Sequence, residues 1–121
     1  MNSDRNLKGF GDSLINFLYS LAKSRATRTW AGEKVSNYVL SQALIESDLD
    51  QPGGLDKHEK GDYVEDYIAK AWIDKVITTE EAAEILMKSL ERHDLEEKEQ
   101  KAMMEAFKSL LNHIHKKREP L

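Results

Sequence analysis

Apolar residues recur at spacings of three and four along nearly the whole chain, which is the repeat of a helix that buries one face. The pattern predicts five main helices, at about 7–23, 32–46, 56–75, 78–92 and from 94 towards the end of the chain. No segment alternates apolar and polar residues as a half-buried strand does. At 121 residues the chain is long enough for one core, so we expect a single all-α domain over residues 1–121.

Helix boundaries and inward faces are predicted from local signals. Thr78-Thr79-Glu80-Glu81 fits a capping box, in which the hydroxyl and the glutamate satisfy each other's backbone donors, and Asp94 is placed to begin the last helix. The inward faces predicted for the first two helices consist of Leu7, Phe10, Leu14, Phe17, Leu18 and Leu21, and of Val35, Tyr38, Val39, Ala43 and Leu44.

The composition excludes several classes of site. The absence of cysteine rules out disulfides, thiol catalysis and cysteine-ligated metals, so any metal must be held by oxygen or imidazole. No apolar stretch approaches the length of a membrane span, and the polar start of the chain lacks the apolar region of a signal peptide. We therefore expect a cytoplasmic protein with no membrane partner.

Carboxylates at two places in the chain predict a metal site. Asp62 and Glu65 are three residues apart on one helix and share a face, and Asp12 reaches the same point if its helix packs against theirs. Hard cations such as Mg²⁺ prefer a cluster of oxygen ligands of this kind. In the competing interpretation, Asp12 caps a helix and the other acids lie on an ordinary solvated face.

The segments that carry these acids resemble the catalytic domain of the ribonuclease III family. Phe10-Gly11-Asp12-Ser13-Leu14 is similar to the family's Leu-Gly-Asp-Ser/Ala helix, and the segment 61–71 is similar to its Ala-Asp-x-x-Glu-Ala-x-Ile-Gly-Ala helix. Lys8 stands where the family usually has a glutamate, four residues before the aspartate. Nothing after residue 76 has the strand-rich pattern of a double-stranded-RNA-binding domain, so the resemblance is to a compact form of the family.

The resemblance implies a helical endonuclease domain that works as a two-fold homodimer on double-stranded or structured RNA. Asp12, Asp62 and Glu65 would be both the catalytic residues and the ligands of Mg²⁺, or of Mn²⁺ in its place. The alternative is a catalytically inactive ribonuclease III-like module that binds RNA or protein, which Lys8 favours. A third possibility, a helical interaction module without a role in nucleic-acid binding, suits the net charge of −4.

Cations are concentrated in the first part of the chain. Residues 1–34 hold six Lys and Arg against three acids, whereas residues 35–66 hold two against eight. We expect this basic part of the chain to contact RNA phosphates. The residues predicted for that role are Lys8, Lys23, Arg25, Arg28 and Lys34.

Three further residues have alternative interpretations. Trp30 either anchors the core or stacks on a base, and the core role is the commoner one for a lone tryptophan. Asp66 is either an auxiliary ligand or a surface carboxylate. His58, four residues before Asp62, either approaches the metal site or is an ordinary solvated histidine.

Overall fold

A computed structural model describes residues 4–119, and the side chains of residues 7–119. Over that range the chain forms five helices and no strand, which confirms the predicted all-α fold class. The helices are α1 (Asp4–Thr27), α2 (Asn37–Glu46), α3 (Lys57–Ile73), α4 (Thr79–Leu90) and α5 (Leu95–Arg118). None of these helices has the combination of length and apolar character that is needed to cross a membrane. The first three and last two residues of the predicted 1–121 domain lie outside the described range.

The helices pack in a closed ring around one core. Each helix contacts two others in the cyclic order α1, α3, α2, α5, α4, and α3 also touches α5 across the ring. The helices that carry the predicted acids, α1 and α3, are therefore direct neighbours, as the metal-site prediction requires. The largest fully buried side chains of this core are Tyr19, Phe107, Ile15, Leu18, Leu40, Leu44, Ile68, Ile77, Leu86, Leu90, Leu110 and Leu111.

Three residues predicted to face the core are exposed instead, and one of them is Phe10, at 40%. Phe17 is 53% exposed, whereas Ile15 and Tyr19 of the same helix are buried and Tyr19 contacts Phe107 of α5. Tyr38 is 44% exposed, and its ring lies under the ammonium group of Lys57, 4.9 Å from the ring centroid. The spacing of apolar residues predicted the helical period correctly. It did not identify which residues lie at the margins of the buried face.

The helix boundaries follow their capping groups. The capping box between Thr78 and Glu81 is present, and Asp94 caps α5 as predicted. The second helix begins later than predicted, because the Ser36 side chain accepts a hydrogen bond from the backbone N–H of Val39 and so fixes its start. Residues 30–36 are consequently non-helical and connect α1 to α2.

Candidate active site

The closest approach of α1 to α3 occurs at a glycine. A Cβ atom at Gly11 would lie 2.7 Å from the backbone carbonyl oxygen of Glu65 and 3.2 Å from its Cβ atom. Only a residue without a side chain allows the two helices to approach this closely. The contact brings Asp12, the residue after Gly11, next to the Glu65 side chain.

The carboxyl groups of Asp12 and Glu65 are joined by a hydrogen bond. Glu65 is 3% exposed, whereas Asp12 is exposed to solvent. The pKa of Glu65 is raised to about 8, first by burial and then by the hydrogen bond with Asp12 and the negative charges of Asp12 and Asp62. Glu65 therefore holds its proton more tightly than an ordinary carboxyl group does, and a hydrogen bond joins it to Asp12.

Asp62 lies one turn before Glu65 and has a different set of partners. Its carboxylate forms an ion pair with Lys8, whose Nζ atom is 2.9 Å away, and lies 3.5 Å from Nε2 of His58. The hydrogen bond to Asp62 raises the pKa of Lys8. A cation thus occupies the position next to Asp62, so the Lys8 side chain is a counter-ion of the predicted metal ligand.

Sequence reasoning missed Asn37, which joins the site from α2. The Asn37 side chain donates hydrogen bonds to the His58 carbonyl oxygen at 3.1 Å and to Oδ1 of Asp62 at 3.3 Å. Its approach depends on Gly61, where a Cβ atom would lie 2.7 Å from the Asn37 side chain. Gly61 near the start of α3 was a signal of this contact, but it did not identify the partner residue.

The three predicted ligands differ in their partners. Among residues 7–119, no group of three or more His, Cys, Asp and Glu side chains lies close enough together to hold a metal ion. Glu65 is hydrogen-bonded to Asp12, whereas Asp62 forms an ion pair with Lys8. The three side chains offer only oxygen donors, the ligand type that a hard divalent cation prefers, and the buried Glu65 lies next to the carboxyl groups of Asp12 and Asp62.

Two other residues considered near this site have ordinary surface contacts. Asp66 forms an ion pair with Lys70 at 3.0 Å, the i, i+4 contact of a surface carboxylate. The His58 side chain is 71% exposed even though it lies beside Asp62. Neither residue adds a buried ligand to the site.

The predicted RNA-contacting residues divide into paired and unpaired cations. Lys23 is only 16% exposed and lies between Glu33 and Glu99, with its Nζ atom 2.8 Å from the latter, so it stabilises the fold and is unsuited to bind phosphate. Arg25 forms a two-pronged ion pair with Glu80 at 2.8 and 3.1 Å. Arg28 and Lys34, by contrast, are exposed and have no ion-pair partner within the described part of the chain.

Trp30 does not anchor the core. Its side chain is 93% exposed, the highest value among the large apolar residues that the structure describes. The interpretation as a core residue is therefore wrong, and the stacking role stays open as a prediction.

A family model described as Ribonuclease III matches residues 5–120, which is nearly the whole chain. The matched range includes both acidic segments, all five helices and the basic residues that follow Asp12. No curated protein matches the chain significantly.

Proposed function

This chain belongs to the ribonuclease III family, and from that premise we propose that it is a metal-dependent endoribonuclease. Family membership supports an RNA-processing, nuclease-like function and an interaction with RNA. The proposed reaction is the hydrolysis of phosphodiester bonds in double-stranded or structured RNA. The observation that carries the finer proposal is the contact between Asp12 and the buried Glu65 at the crossing of α1 and α3.

We propose that Asp12, Asp62 and Glu65 hold Mg²⁺, or Mn²⁺ in its place. When bound, the ion would supply Lewis-acid activation of the phosphodiester and of the attacking water. The side chains prepare the site for a cation in two ways. Glu65 carries a proton that it must release, and Asp62 has an ammonium counter-ion that must move aside.

Lys8 is suited to change partners during substrate binding. Its side chain is 57% exposed, so it is not confined to the Asp62 carboxylate. An ammonium group at the rim of the site can bind an RNA phosphate once a divalent ion has neutralised Asp62. Lys8 would then contribute to substrate binding in a position where the family usually has an acid.

The duplex is proposed to lie along α1, from the carboxylates to the helix's C-terminal end. Helical RNA is recognised mainly by its shape, its phosphates and its 2′-hydroxyls, so a few cations outside the metal site are adequate. Arg28 and Lys34 are available to bind phosphates. Arg25 can also bind a phosphate if its ion pair with Glu80 breaks. Lys23 is not part of the proposed RNA-binding surface, because it forms ion pairs with both Glu33 and Glu99.

A homodimer is proposed through the exposed apolar face of α1. Phe10 and Phe17 are two turns apart on this helix, and they are 40% and 53% exposed. A two-fold axis beside this face would pair each helix with its copy in a self-complementary contact. Both active sites would then be near the shared interface, on either side of one duplex.

The decisive experiment incubates labelled duplex RNA with the protein in Mg²⁺, Mn²⁺ or EDTA. We expect cleavage with either metal and none in EDTA, with 5′-phosphate and 3′-hydroxyl products. Asp62→Asn and Glu65→Gln should abolish cleavage but leave RNA binding largely intact, whereas the control Asp66→Asn should cleave normally. Undiminished cleavage by Asp62→Asn would contradict the proposed site. Metal-independent binding without any cleavage would identify the chain as an inactive RNA-binding module.

A further inference from the structure

Three polar side chains of α1 hold the segment of residues 30–36 in an extended conformation. Each accepts a hydrogen bond from a backbone N–H of the segment, at 2.8 or 2.9 Å. The pairs are Asn16 with Val35, Ser20 with Glu33, and Ser24 with Ala31. The two serine hydroxyls also donate to the carbonyl oxygens of their partners, at 3.4 and 3.3 Å. The segment is thus fixed to the helix along its length.

The regular spacing of these bonds has a geometric basis. The helix residues are four apart, which is a rise of about 6 Å along the axis. Their partners are two apart in an extended chain, which is a rise of about 6.6 Å. Because the two repeats nearly match, every second residue of the segment turns its backbone N–H towards α1.

The intervening residues face outwards. Trp30, Gly32 and Lys34 are all exposed, while Ala31 and Glu33 are partly buried and Val35 is buried. Nothing lies within 4 Å of the position of a Cβ atom at Gly32, so the space between Trp30 and Lys34 is open. The segment therefore presents an aromatic ring and a cation on one rigid, unobstructed edge.

Arg28 adds a second unpaired cation beside the ring. It has a φ of 58° and ends α1, and the Thr29 N–H then bonds the Ser24 carbonyl oxygen at 3.2 Å. Trp30 and Arg28 line a shallow cavity of about 460 Å³ at the end of the helix, together with Leu21, Ser24, Arg25 and Thr29. The cavity combines an exposed aromatic face with positive charge in a chain whose net charge is −4.

This combination favours one kind of ligand. An exposed indole ring stacks favourably on another flat ring, and unpaired cations bind phosphate favourably. A nucleotide supplies both a flat base and a phosphate. Every base has a π face, so stacking at this position does not require a particular sequence. Because the backbone of the segment is already held by hydrogen bonds, binding has to order only the Trp30 side chain and not the chain that carries it.

We infer that Trp30 and Arg28 form a subsite that stacks one unpaired nucleotide of the RNA, with Lys34 on a neighbouring phosphate. The inference rests on the proposed function in so far as the chain binds RNA. Position 28 is about 24 Å along the axis of α1 from Asp12, so the subsite is separate from the carboxylates. The substrate class that follows is a duplex with a single-stranded end or bulge next to the duplex that is cleaved.

The test measures binding in EDTA, where cleavage does not interfere. The probes are a blunt RNA duplex and the same duplex with a short 3′ single-stranded extension. Trp72→Phe leaves Trp30 as the sole tryptophan, and its emission should be quenched by the extended duplex but not by the blunt one. Wild type should bind the extended duplex about tenfold more tightly.

Variants at the subsite separate stacking from other causes. Trp30→Leu should remove the preference for the extended duplex, whereas Trp30→Phe should keep most of it because the ring is retained. Arg28→Ala should lower the salt slope for the extended duplex by roughly 0.7. The control Tyr38→Leu removes an exposed aromatic residue of α2 and should keep the preference.

Four outcomes would overturn the inference. Unchanged Trp30 emission with saturating extended duplex, or an unchanged preference in Trp30→Leu, would overturn it while leaving metal-dependent cleavage of duplex RNA intact. Loss of self-association in Trp30→Leu with unchanged RNA affinity would identify the edge as a protein interface. Failure of every RNA to bind wild type would overturn both this inference and the proposed function.

Discussion

Gly11 on α1 lies so close to Glu65 on α3 that a Cβ atom at position 11 would be 2.7 Å from the Glu65 carbonyl oxygen. This contact sets the distance between the two helices at the candidate site. It also explains why a glycine directly precedes Asp12, because the aspartate can reach the buried Glu65 carboxyl only if the helix backbones are close. The helix packing and the chemistry of the site therefore depend on the same residue.

Two glycine substitutions on α1 should have opposite effects on stability. Gly11→Ala should lower the free energy of unfolding, since overpacking a tight contact costs about 1–3 kcal/mol. Gly9→Ala should raise it by about 0.5–1 kcal/mol, because nothing lies within 4 Å of the added methyl group and alanine favours the helix. Urea unfolding followed by circular dichroism measures both. Equal effects of the two substitutions would contradict the close contact.

Without metal, Glu65 should make stability depend on pH. Its pKa is about 8 in the folded protein against an ordinary value of 4.5, so the unfolded chain releases the proton first. The stabilisation is complete below about pH 4.5 and is lost as the pH rises to about 8, at no more than about 1.4 kcal/mol per pH unit. Urea unfolding between pH 5 and 8 in EDTA should show this decline in wild type and less of it in Glu65→Gln. Identical declines would refute the raised pKa.

Removing the Lys8 ammonium should strengthen metal binding. Lys8→Gln leaves Asp62 without its counter-ion at 2.9 Å, so Mn²⁺ should raise the melting temperature more than in wild type. Asp62→Asn should abolish the effect of Mn²⁺. Lys88→Gln, which breaks an exposed ion pair with Glu84, serves as the control and should respond as wild type does. An equal Mn²⁺ response in both lysine variants would count against competition between Lys8 and the metal.

Phe17→Glu should prevent the proposed homodimer. The residue is 53% exposed, so the charge can be accommodated in the monomer but not in an apolar interface. Phe10→Glu is a less clean test, because Phe10 also packs on Trp72 with ring centroids 5.5 Å apart. Light scattering at micromolar concentration should report a dimer for wild type and for the control Ile45→Glu, and a monomer for Phe17→Glu. A monomeric wild-type protein would refute the proposal.

Lys75→Gly should stabilise the protein. Lys75 has a φ of 61° at the end of α3, where the following N–H of Val76 bonds the Ala71 carbonyl oxygen at 2.9 Å. Glycine adopts this left-handed conformation without steric cost, and we expect a gain of about 0.5–1 kcal/mol. The control Lys101→Gly lies at an exposed position in the regular part of α5, after the kink at Lys98, and should destabilise. A lower midpoint in urea for Lys75→Gly would contradict the expected gain.

The sequence alone was sufficient for the fold class, because a spacing of three and four is a local property that each segment carries by itself. It also located the starts of α4 and α5, since Thr78, Glu81 and Asp94 act on backbone groups within one turn. The two acidic segments and their resemblance to the ribonuclease III family were visible in the same way. That family is confirmed over residues 5–120.

Only the tertiary structure decided which groups meet. Lys8 with Asp62, Lys23 with Glu99, and Asn37 with Asp62 are pairs from different helices, and no spacing rule predicts such contacts. The exposure of Phe17 likewise depends on which neighbours α1 acquires. A local pattern determines which secondary structure a segment can form. The partner of a charged side chain depends instead on how all five helices pack. That packing sets the pKa of Glu65 and decides which cations have an ion-pair partner.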